Sequence, residues 1–152
     1  MGMPEEVRSL FADASSVFGP PCSQADLRRA ETELGEPLPQ QLRELYSAFD
    51  GFVGPTGAHL FWPLFGYGSL VETNGQYRSS GGMSPEQKEF FRTCVLFGDD
   101  QLRHLYAFKR DRPGRVVRWD MKWPCRFDVD DVGESPLAAW LTYKQVHDAS
   151  GD

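Results

Sequence analysis

The sequence predicts an α+β fold: N-terminal helices and a C-terminal helix packed against a mainly antiparallel sheet. Three observations predict it. Residues 4–49 carry apolar residues at helical spacing, punctuated by glycine and proline. From Cys94 to Val129 the pattern changes to alternation with a period of two. Ser135-Pro136 then opens a last helical stripe of Leu137, Trp140 and Leu141. Helices, then a meander, then one helix describe α+β architecture. With 152 residues and no internal repeat, the chain reads as one domain over 1–152, the helix within 1–21 being an accessory element.

Each helix has a start and a stop. Pro4, Glu5 and Glu6 suit a first turn, where proline's missing N–H costs nothing and acids meet the positive helix end. Val7, Leu10, Phe11, Ala14, Val17 and Phe18 continue one face, so a helix is expected from Pro4 to Phe18, stopped by Gly19-Pro20-Pro21. Ser23 and Asp26 form a capping-box pattern for a second helix lined by Leu27, Ala30 and Leu34. Gly35 supplies its left-handed end. A third helix runs from Pro39 to Phe49 with Leu42, Leu45, Tyr46 and Phe49 on one side. His59 to Phe65 reads as a short strand interrupted by Pro63. Ser69 to Tyr77 has helical character, but the glycines of 66–82 point to a mobile surface loop. Ser84-Pro85-Glu86 caps a short helix through Phe91.

The second half reads as strands. Cys94 to Phe97 ends at Gly98-Asp99-Asp100. His104, Tyr106 and Phe108 alternate with Leu105, Ala107 and Lys109. Asp111-Arg112-Pro113-Gly114 places Pro and Gly at the centre of a type II turn, so Val116 to Asp120 returns as the hairpin partner. Trp123-Pro124 breaks this strand. Cys125, Phe127 and Val129 alternate on a further one, which turns Arg126, Asp128 and Asp130 to the opposite side.

The stretch Glu31 to Gly51, ETELGEPLPQQLRELYSAFDG, resembles the opening of the SUKH superfamily, which contains fungal cell-wall assembly regulators and many bacterial toxin-immunity proteins. The matching residues are Leu34-Gly35, Leu38-Pro39, Leu42, Leu45, Tyr46, Phe49 and Asp50-Gly51. Phe97-Gly98-Asp99, Tyr106, Val116-Val117, Trp119-Asp120 and Pro136-Leu137-Trp140-Leu141 extend the resemblance over nearly the whole chain. It implies a non-catalytic protein-binding domain, foremost an immunity protein that neutralises a bacterial toxin by direct binding. An intracellular regulatory or scaffolding module is the alternative it implies.

Composition narrows the partner. A formal charge of -6 argues against nucleic acid and against an anionic membrane, both of which need clustered lysine and arginine. It favours a basic protein partner, and the resemblance implies a toxin domain such as a nuclease in that role. Cys22, Cys94 and Cys125 have no metal spacing and cannot all pair, which fits a reducing, cytoplasmic setting. The acidic N-terminus is unlike a signal peptide, and no window is apolar enough to span a bilayer. His59, His104 and His147 lack zinc spacing, and His104 reads as a core-edge residue. No nucleophile elbow or phosphate loop is present, so no catalytic residue, metal or cofactor is expected.

Carboxylates are the one group suited to catalysis, and a pair of them serving glycoside hydrolysis is a second alternative. Strand-end aspartates ordinarily cap turns or stay solvated. As an interaction face the same acids would combine negative potential with indole anchors. The partner-binding candidates are therefore Asp99, Asp100, Trp119, Asp120, Trp123, Asp128, Asp130 and Asp131. Trp140 is expected in the core, whereas Trp62 and Trp123, beside prolines, are expected to be partly exposed.

Overall fold

The computed structural model describes residues 2–12, 16–54, 57–101, 104–110, 115–120 and 128–149. Their elements are α1 (Met3–Leu10), β1 (Val17–Phe18), α2 (Gln24–Leu34), α3 (Gln40–Ala48), β2 (Phe52–Val53), α4 (Leu70–Ser79), α5 (Pro85–Thr93), β3 (Cys94–Asp99), β4 (His104–Lys109), β5 (Val116–Asp120), β6 (Asp128–Gly133) and α6 (Pro136–Ala149). β1 and β2 form a small antiparallel sheet, and β3-β4-β5-β6 form an antiparallel meander. The α+β architecture is as expected, with a C-terminal helix.

The capping chemistry works as the sequence suggests. Ser23 Oγ accepts from Asp26 N at 3.1 Å, and Asp26 Oδ2 accepts from Ser23 N at 3.0 Å. Gly35 closes α2 with φ of 83°, a conformation that costs a residue without Cβ little. Leu42, Leu45, Tyr46 and Phe49 are all buried.

Three elements differ from expectation. The first helix stops at Leu10, and Val17–Phe18 form a strand instead. As a strand, Phe18 lies 5.0 Å from the rings of both Phe49 and Phe52. That aromatic packing outweighs the weak helical signal of a short apolar run. Within 66–82, α4 replaces much of the expected loop. Ser69 Oγ caps it by accepting from Glu72 N, and the buried Asn74 docks it onto β3. The Asn74 amide donates to Leu96 O and accepts from Leu96 N, both at 2.9 Å, so a side chain pairs with the strand edge. This tertiary pairing overrides the glycines.

The third difference is the stretch expected as a strand at 59–65. It makes a single bridge, Phe61 to Phe52, and is otherwise irregular. Pro63 lacks the N–H a continuous ladder needs. Buried backbone must still find partners. Trp62 N donates to Phe97 O (2.9 Å), and His59 O accepts from Asp99 N (3.0 Å). Side chains supply the rest. Tyr46 Oη donates to Trp62 O at 2.7 Å, Trp140 Nε1 donates to Leu60 O at 2.9 Å, and Asp50 Oδ1 accepts from Leu64 N at 2.7 Å. This segment joins α3, α6 and the sheet.

The large sheet is buried on both faces. Val95, Phe97, Tyr106, Phe108 and Val116 share one core with the helices and Trp140. Leu96, Leu105, Ala107, Val117 and Trp119 form a second core with Phe90 and Phe91 of α5 and with Trp62. Trp140 is therefore internal, as expected. Trp119 and Trp62 depart from expectation, at only 8% and 4% exposure. The cause is α5, whose Phe91 ring packs 5.1 Å from Trp119 and closes that face. The last strand is described over 128–133, with Val129 opposite Trp119 but 38% exposed on the outer strand. Leu141, expected on the inner stripe of α6, is exposed as well. Trp123 and Cys125 to Phe127 lie outside the described residues.

Candidate partner-binding face

The meander gathers several candidate acids at one end of the sheet. Asp99 ends β3 and Asp100 follows it, His104 opens β4, Asp120 ends β5 and Asp128 opens β6. His104 stands opposite Asp120, which stands opposite Asp128 in the ladder. His104 Nδ1 lies 2.5 Å from Asp100 Oδ2, and its Nε2 lies 3.7 Å from Asp120 Oδ2. Asp100 Oδ1 also accepts from His104 N at 3.0 Å, closing the β3–β4 connection. His104 is thus a half-buried linker between two carboxylates, in keeping with a core-edge position.

The other acids separate. Asp130 lies opposite Arg118 and reaches its guanidinium at 3.3 Å. Asp131 sits toward the other end of the sheet, held by Arg115 at 2.5 Å. Both are exposed residues on the outer strand, where charge discourages edge-to-edge pairing. Trp119 is not at the surface with them, so the structure places no indole of that residue on an exposed patch.

Asp99 faces differently from Asp100. Its register partner is Leu105, and its Oδ2 accepts from Trp62 Nε1 at 2.8 Å while Oδ1 accepts from Gln101 N at 2.7 Å. There it lines a cleft of about 420 Å³ with Trp62, Leu105, His59, Tyr67 and Tyr77. Burial, and next the Asp99 charge, push the Tyr77 hydroxyl above its usual range, as expected for a ring in a negative field. Tyr67 stands at the rim, 98% exposed, between Gly66 and Gly68, whose φ angles are 105° and 69°. Two left-handed glycines throw the chain outward and present the ring to solvent.

Sequence reasoning missed this cleft. Gly66-Tyr67-Gly68 signals a turn, but nothing local shows that Tyr67 stands beside Asp99. That neighbourhood is made by the irregular segment crossing β3.

Asp99 and Asp100 are both engaged in structural hydrogen bonds. Among the described residues, no three of His, Cys, Asp or Glu converge as metal ligands, and no helix is long and apolar enough to cross a membrane. Cys22 is a poor nucleophile: burial, then the nearby Asp50 and Asp26 charges, push its thiol from 9.0 up to about 12. Its thiolate fraction at pH 8 is therefore about a thousandfold below that of a free thiol, because each pKa step of one is a factor of ten. Peptide-mapped alkylation should find Cys22 slow in the native protein and fast in guanidinium; equal rates would refute the raised thiol pKa.

Comparison with known families finds a match over most of the chain. The model of the SMI1 / KNR4 family (SUKH-1) matches residues 21–140, from just before α2 into α6. A search of curated proteins finds no match.

Proposed function

The chain belongs to the SMI1 / KNR4 (SUKH-1) family, and on that premise we propose that it is an immunity protein neutralising a bacterial toxin by direct binding. Domains of this family are generally non-catalytic and serve immunity or regulation, which suggests protein–protein interaction. The observation that carries the proposal is the Asp99 cleft with Tyr67 at its rim. A carboxylate among aromatic rings suits a lysine or arginine side chain, through ion pairing and cation–π attraction. Tyrosine is enriched among the residues that dominate binding energy. Asp100 and Asp120, on either side of His104, stand at the same sheet end and add negative potential. With a net charge of -6, they would steer a basic partner such as a nuclease domain.

The test is co-expression with the protein encoded by the neighbouring gene. The expected result is growth protection together with a complex that dissociates as salt rises. No complex at low salt would overturn the proposal. A complex with a host protein and no protection would replace it with the regulatory reading.

A further inference from the structure

On the far side of Tyr77 the field changes sign. A second cleft, of about 510 Å³, opens between α4, α5 and the end of β4, and Tyr77 lines it too. Four cationic side chains border it: Arg78, Lys88, Arg92 and Arg110. Such a concentration is unexpected in a chain whose acids outnumber its lysines and arginines, 22 to 16. We propose that this cleft binds a compact, multiply charged anion of the phosphate class.

Arg78 is fixed in place. Its Nε donates to Phe91 O at 3.3 Å, Nη1 to Leu34 O at 3.3 Å and Nη2 to Cys94 O at 3.0 Å, and it pairs with Glu36. Arg110 pairs with the same nearly buried carboxylate. One Glu36 therefore stands against two guanidinium groups. On α5, Arg92 is joined to Glu89, but both are well exposed, at 69% and 61%. The exposed Arg92 guanidinium lines the cleft from the α5 side. Lys88 makes no ion pair among the described residues.

The donor set favours phosphate chemistry. Guanidinium forks match paired oxygens, and lysine adds a point charge. Ser80 supplies a hydroxyl at the margin. The volume exceeds that of a single phosphate and accommodates a pyrophosphate or a phosphate ester. An extended polyanion is disfavoured, because the Asp99 cleft across Tyr77 and the overall charge repel it.

Inorganic pyrophosphate, titrated into isotope-labelled protein against sodium chloride of equal ionic strength, tests the site. The expected result is saturable amide shifts at Tyr77, Ser80, Lys88 and Arg110. Affinity should fall at least tenfold in the K88A/R92A double variant, whose exposed positions leave Tm unchanged. Asp99→Asn should leave it intact, which separates this site from the partner face. Shifts that do not saturate, that chloride reproduces, or that persist in the double variant would overturn the proposal.

Discussion

Gly98→Ala is expected to abolish the native fold or to lower its stability by at least about 3 kcal/mol, the range reserved for severe core clashes. A Cβ at this position would lie 1.9 Å from Leu60 O and 2.6 Å from Leu60 C. The obstruction is backbone, so no side-chain rotation relieves it. The flanking bonds hold it in place: Trp62 N to Phe97 O on one side, Asp99 N to His59 O on the other. β3 is already bulged here, between Leu96 and Gly98. Moving the irregular segment away from β3 enough for a methyl group would break both bonds and disturb the Trp140 bond to Leu60 O. Gly75→Ala is the control, because it lies in α4 with nothing within 4 Å of its Cβ position. That change should stabilise by about 0.5–1 kcal/mol. Urea denaturation of the pair reads both effects. A Gly98→Ala variant as stable as the parent would disprove the close crossing.

Arg78→Ala is expected to cost about 3 kcal/mol, as removal of one partner from a buried charge pair generally does. The guanidinium bonds the end of α2, the end of α5 and the start of β3 through three carbonyls, and it offsets Glu36. Without it, the carbonyls lose their donor and Glu36 depends on Arg110 alone. Arg78→Lys should recover little, since an ammonium cannot reach three directions in a fixed plane. Thermal and urea unfolding would measure this. A loss below about 0.5 kcal/mol, the scale of surface substitutions, would mean that the network carries no stability.

Much of the architecture was legible because local chemistry and tertiary structure agree there. Ser23 with Asp26, Gly35, the Leu42–Phe49 stripe and the β4–β5 alternation each have one stable reading, and each is observed. The errors fall where distant partners decide. Val17 and Phe18 fit a helix face until Phe49 and Phe52 offer a strand position. The glycines of 66–82 suggest a loop until Asn74 pairs with Leu96. Trp119 reads as a surface anchor and Trp62 as partly exposed because α5, which covers them, is remote from both along the chain.

The candidate site was half legible for the same reason. The acids at strand ends follow from the meander, so Asp99, Asp100, Asp120 and Asp128 could be placed at one sheet end from strand order. The cleft beside Asp99 could not, since it depends on the irregular segment at 58–64. The residues that carry the family resemblance serve that segment. Tyr46, Asp50 and Trp140 bind its backbone directly, and Gly51 and Gly98 let it approach closely. The pattern recognisable in sequence is therefore chiefly the scaffold.

Calorimetric affinity for the neighbouring gene's product, measured with the parent chain, Tyr67→Ala and Asp99→Asn, tests the partner face most directly. Tyr67 is fully exposed and should alter binding without altering Tm. Each substitution is expected to weaken the complex by about 2 kcal/mol or more, roughly thirtyfold, as loss of an interface anchor does. Affinities equal to the parent's in both variants, with the complex intact, would place the interface elsewhere on the molecule.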